Sequence, residues 1–160
     1  MPAYDRITIV LHWIVGLAIL GQFALGWWVG SLPDEPASAG WVGLHQWIGV
    51  TLAAFVVLRL LWRLSHPAPE LPGTLPRLQR TMAKATHWAL YGCMVLMPLS
   101  GYLSTWGSDD ADLQAAMGSV HSITASLLGA LLALHVGAAV WHLARRDGLF
   151  ARMWPSVERR

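Results

Sequence analysis

The chain has 160 residues, of which 55% are hydrophobic and 12% charged, with ten tryptophans and a formal net charge of +2. Soluble domains carry about 25% charged residues. This composition therefore excludes a disordered chain, a nucleic-acid binder and an ordinary soluble enzyme, and points to a membrane protein.

Four stretches hold no Asp, Glu, Lys or Arg: residues 7–33, 36–58, 85–108 and 113–144. A spanning helix needs about 20 apolar residues at about 1.5 Å each, so each stretch is long enough to cross a bilayer. The expected helices are 7–30, 40–64, 83–106 and 117–146, in a single domain over 1–160. The first is too long for the apolar part of a cleaved signal peptide and lacks a strongly basic leader. Pro33 and Pro36 bracket Asp34 and Glu35 and mark a turn. Residues 66–76 hold four prolines and form a loop. Pro98 is expected to kink the third helix, which membrane helices tolerate. Residues 107–112 form a short acidic loop before the fourth. An all-α, integral membrane four-helix bundle is the simplest architecture.

Lys and Arg orient it. All eleven, from Arg6 through the Arg59–Lys84 group to Arg160, fall at one end of this arrangement, which the positive-inside rule assigns to the cytoplasm together with both termini. Four acids join those eleven bases, giving +7 inside, while Asp34, Glu35, Asp109, Asp110 and Asp112 give −5 outside.

Six of the seven histidines lie in or at the edge of the helices. Ionisable groups in a membrane are costly and usually functional. His12 is near the inner end of helix one, and His45 is near the outer end of helix two. His121 and His135 share one face of helix four, 14 residues or about 21 Å apart. Two pairs follow from depth: His12 with His135 on the inner side, and His45 with His121 on the outer side. Zinc wants three or four protein ligands, whereas haem iron takes two axial imidazoles from facing helices. Cys93 is the only cysteine and there is no Cys-x-x-Cys-His, which excludes covalent haem attachment, iron–sulfur clusters and intrachain disulfides. Two non-covalent b haems fit best. Gly16 and Gly49, each four residues after a paired histidine, could admit a flat macrocycle or simply close helix packing. His87 and His142 also lie on the inner side, and spacing alone leaves either open as an inner ligand or a proton donor; His66 reads as a solvated loop residue.

Read in order, Arg6-Ile-Thr-Ile-Val-Leu-His12-Trp, His45-Gln-Trp-Ile-Gly49, Arg59-Leu-Leu-Trp-Arg63, His87-Trp-Ala-Leu-Tyr91, Met97-Pro-Leu-Ser-Gly101, Leu134-His135, His142, Arg145-Arg146-Asp147-Gly148 and Arg152-Met-Trp-Pro155 resemble the bacterial cytochrome b561 family of two-haem, quinone-linked membrane cytochromes. The resemblance implies His12/His135 and His45/His121 as the axial ligands of two haems b, with His87 and His142 as non-ligands. It implies a quinone, such as ubiquinone, as substrate in the bacterial inner membrane. Some members are similar to superoxide oxidases, which would make the chain an oxidoreductase. Related b-type subunits anchor dehydrogenases and hydrogenases, and a haem-free proton-relaying transporter is a third reading. His142 is the candidate for quinone proton exchange, because histidine titrates near neutral pH. The five outer acids disfavour an anionic donor such as superoxide and favour a basic or neutral partner.

Overall fold

The computed structural model describes residues 4–33 and 35–154; Asp34, Glu158, Arg159 and Arg160 of the charge count, and Pro155 of the last motif, lie outside the described residues. The described chain is all helical. Its long elements are α1 (Arg6–Ser31), α2 (Ala39–Ser65), α3 (Arg77–Leu103) and α4 (Ala111–Arg145), with short 3-10 turns at Pro36–Ser38 and Phe150–Met153.

Local chemistry sets the ends. Asp5 caps α1, its carboxylate accepting the Thr8 N–H at 2.9 Å and the Thr8 hydroxyl at 2.5 Å. Asp110 caps α4 by accepting from the N–H groups of Asp112 and Leu113. Such caps satisfy donors that have no partner within the helix. Two boundaries differ from the hydropathy expectation by six residues. α3 starts at Arg77 rather than 83, because the charged run after Pro76 continues the helix beyond its apolar part. α4 starts at Ala111 rather than 117, where Asp110 caps it. α3 ends at Leu103, where the Tyr102 carbonyl collects the N–H groups of Thr105, Trp106 and Gly107. The helix continues through Pro98.

Among the described residues three segments, Arg6–Ser31, Pro36–Ser65 and Ala111–Arg145, are long and apolar enough to cross a membrane. α3 has the length but not the hydropathy. Arg77, Arg80, Lys84 and His87 crowd its first turns, and Pro98 and Ser100 dilute the rest. Large apolar side chains such as Leu17, Leu61, Ile123 and Val140 point outward from the other three, as a lipid-facing surface requires.

The helices run up and down, α1 against α2, α2 against α3 and α3 against α4. One end is closed by long-range bonds. Trp13 Nε1 donates to the Met153 carbonyl at 2.7 Å, and Trp62 Nε1 donates to Asp5 at 3.2 Å. Arg152, only 4% exposed, donates to the carbonyls of Pro69 and Glu70. Aromatic pairs mark the other end: Trp28 with Trp41 and Trp47 with Trp106. Between the ends Val15, Ile19, Val56, Leu90, Cys93 and Leu128 form one apolar core. Leu128 stands seven residues from both His121 and His135, so this core lies between the two histidine levels.

Candidate functional site

The bundle brings the histidines together in two places. At the level closed by Trp13 and Met153, the rings of His12 and His135 face each other with centroids 6.0 Å apart and planes at 69°. Near the Trp47–Trp106 end, the rings of His45 and His121 stand 6.2 Å apart at 85°. A third ring joins the first level: His87 lies 5.2 Å from His135. Three helices supply the four paired histidines, and α3 supplies the extra one.

Hydrogen bonding decides which nitrogen of each ring is free. His121 directs Nδ1 at the Met97 carbonyl, 2.9 Å away, and His87 directs Nδ1 at the Ala83 carbonyl, 2.6 Å away. A carbonyl only accepts, so both rings carry the proton on Nδ1 and leave the Nε2 lone pair for another partner. This is the usual outer bonding of a metal-bound imidazole. His12 differs. Arg59 Nη2 lies 2.9 Å from its Nδ1, and a guanidinium can only donate, so there Nδ1 accepts. His45 Nδ1 is buried without a partner.

Two glycines seat the His45–His121 pair. A Cβ at Gly26 would stand 2.9 Å from His45 Cε1, and one at Gly101 would stand 3.0 Å from His121 Nδ1. Both distances are too short for a side chain to be added without moving the ring. The glycines singled out by spacing behave otherwise. Gly49 faces Gln22, whose Nε2 would lie 3.1 Å from a Cβ there and which donates to the His45 carbonyl at 2.6 Å. Gly49 thus serves close helix contact, while Gly16 opens on empty space.

The residues fit b-type haem. Two imidazoles on opposite sides of one ion, each nitrogen about 2 Å from it, place their ring centroids about 6 Å apart. Both pairs have that separation. Among the described residues no group of three or more His, Cys, Asp or Glu converges as a metal site.

His142 and His66 lie apart from the pairs. His142 Nδ1 donates to Asp147 Oδ2 at 2.6 Å, and its Nε2 is 3.5 Å from Gln79 Nε2. Asp147 reaches back because Arg146 and Gly148 adopt positive φ values of 53° and 83°. The His142 hydrogen bond, with smaller help from the Leu149 N–H and Arg145, holds the Asp147 carboxyl below its ordinary value against a small opposing effect of burial. His66 stacks on Trp62 at 3.9 Å and is exposed. Gly26, Gly101, Gln22, Arg59 and Asp147 were not distinguished by the histidine spacing. A reading of α1 and α3 four to five residues from each expected helix contact could have raised the two glycines.

A helix bundle with imidazole pairs facing one another at two depths is a frame for cofactors held between helices. Residues 3–156 match the family model described as prokaryotic cytochrome b561, and the chain belongs to that family. It is similar to cytochrome b561 homolog 2 of Escherichia coli (strain K12), with 37% identity over 105 residues, which is 62% of this chain and 54% of that protein. The match thus spans about half the length of that relative. Cytochrome b561 homolog 1 of the same organism is 23% identical over 173 aligned residues, covering 97% of this chain and 98% of that protein. Family membership makes the chain a membrane cytochrome, and the family implies b-type haem as the prosthetic group.

Proposed function

We propose that the chain carries electrons between the outer face of the bacterial inner membrane and a membrane quinone, through two b haems held by His12/His135 on the inner side and His45/His121 on the outer. The observation that carries this is the matched spacing of the two ring pairs, 6.0 and 6.2 Å, at the two ends of one bundle. α3 serves as the fourth span, with both termini cytoplasmic. When bound, haem iron supplies one-electron exchange between ferrous and ferric states.

The protein's own residues do the rest. The four imidazoles hold their rings at fixed heights, and the Met97 carbonyl fixes the ring of His121. The Val15–Leu128 core keeps water from the space between the levels. His142 holds a proton for quinone chemistry, with Nδ1 tied to Asp147 and Nε2 turned toward Gln79. The acidic outer loop, with Asp109, Asp110 and Asp112, supports a basic or neutral outer partner over superoxide. Asp110 also has a purely local task as the cap of α4.

The purified holoprotein in vesicles tests this reading. A small-molecule reductant added on one side should reduce ubiquinone in the bilayer, and His142→Ala should slow quinone reduction while both haems stay reducible. Unchanged rate and affinity for quinone in that variant would remove His142 from the scheme. A second reading, a haem b anchor relaying electrons for a dehydrogenase, hydrogenase or soluble redox partner, is favoured by the shortness of the connections, Ser104–Asp110 being only a turn. A stoichiometric co-purifying partner, together with no quinone reduction by the isolated chain, would select it.

A further inference from the structure

Arg59 and Arg63 lie one turn apart on α2, at the level of His12 and His135 and below it. Arg59 is 14 residues from His45, so it repeats on α2 the relation that His121 and His135 have on α4: same face, next depth. Both guanidinium groups are only partly exposed. Arg59 Nε and Nη1 and Arg63 Nη1 are buried and lack any hydrogen-bond partner. Among the described residues no carboxylate lies within ion-pair distance of either. The contacts Arg59 does make are with neutral groups and leave Nε and Nη1 unmet: Nη2 on His12 Nδ1 at 2.9 Å, and Cζ 5.8 Å from the centre of the Tyr91 ring.

Unpaired charge and unmet donors inside a membrane protein are costly and mark a binding site. Arg is also the side chain best shaped for carboxylates. The contact with His12 adds a second argument. For His12 to offer Nε2 to iron its proton must sit on Nδ1, and Arg59 can then no longer donate there. Arg59 needs another acceptor at the moment the inner site fills. We infer that Arg59 and Arg63 form the carboxylate subsite of the inner haem, taking the propionate groups that a b-type porphyrin carries on one edge. That edge would face the inner end of the bundle. The inference rests on the proposed inner haem between His12 and His135.

The test uses the haem-loaded protein. Resonance Raman spectra of the wild type, Arg59→Gln, Arg63→Gln and Arg59→Lys report the propionate bending bands, whose frequency follows hydrogen bonding to the carboxylates. Each glutamine variant should shift the band of one haem downward and lower the potential of that haem. Arg59→Lys should restore most of the potential, and the low-spin axial-ligand signature should be unchanged throughout. Unmoved propionate bands in both glutamine variants, with both haems retained, would overturn the inference, and an anionic lipid as the partner of these arginines would give that result. If Arg59→Gln fails to keep the inner haem, Arg63→Gln decides by the same band. A wild type with no inner haem at all would instead defeat the underlying ligand assignment.

Discussion

The Nδ1 of His121 lies 2.9 Å from the carbonyl oxygen of Met97 because Gly101, one turn further along α3, has no side chain to keep the ring away. A methyl group there would sit 3.0 Å from the same nitrogen, inside ordinary contact distance, and would push the imidazole off its acceptor. Gly101→Ala should therefore lower occupancy of the outer haem and leave the inner one intact. Gly26→Ala, which crowds His45 at 2.9 Å, should act on the same haem. Haem-to-protein ratios with the two haems resolved by redox titration check both, and loss of the inner haem in either variant would contradict the assignment.

Arg152 ties the C-terminal turn to the loop before α3. Its guanidinium donates to Pro69 and Glu70 carbonyls at 2.9 and 3.2 Å and lies 5.5 Å from the Tyr4 ring centre. Truncation removes the hydrogen bonds of a charged donor to two part-buried carbonyls, which contribute about 1.5–3 kcal/mol. Arg152→Ala should lower the melting temperature of the detergent-solubilised protein clearly, with both haem spectra unchanged below the transition. A melting curve superimposable on the wild type would show that the strap contributes nothing.

The pair of His142 and Asp147 gives a pH signature. The carboxyl of Asp147 is held below its ordinary value of 3.8 in the folded protein. A depressed carboxyl adds stability at pH above its unfolded value and loses that contribution as pH falls through the folded value. The window is therefore below about pH 4. Asp147→Asn should remove this share, so wild type and variant should differ at neutral pH and converge in acid. The gap should be small, since the pair lies at the end of α4 beside a polar loop and water reaches it. Parallel curves across the whole range would mean that the contact stores no stability.

Charge at the proposed outer face makes a kinetic prediction. An anionic donor approaching Asp109, Asp110 and Asp112 is repelled, and salt screens the repulsion over about 8–10 Å. Haem reduction by superoxide should be slow at low ionic strength and should speed up as salt is added. A cationic donor should show the opposite slope. Superoxide reduction that slows with salt would show that an attractive field outweighs these acids.

The membrane architecture was legible because burial in lipid forbids unpaired charge, so the charge-free stretches trace the apolar parts of α1, α2 and α4. The nearness of His12 to His135 and of His45 to His121 was legible too, because 14 residues return a helix nearly to the same face. The start of α3 was not: a helix that continues into a charged run past the apolar layer leaves no hydropathy edge at Arg77. Gly26 and Gly101 were hidden for a different reason. Their use depends on which helix each residue faces, and spacing within one helix cannot supply that. Arg59 looked like an ordinary inner-side charge until the bundle set it against His12. Asp147 counted only as an inner-side acid in an Arg-Arg-Asp-Gly run until the left-handed Arg146 turned it back on His142.

The most direct test of the central claim is haem quantitation of the purified chain and of four single variants. Pyridine haemochrome analysis should give two b haems per wild-type chain. His12→Ala and His135→Ala should each lose the same haem, His45→Ala and His121→Ala should each lose the other, and His87→Ala should keep both. One haem per wild-type chain, or full occupancy after any of the four substitutions, would contradict the account.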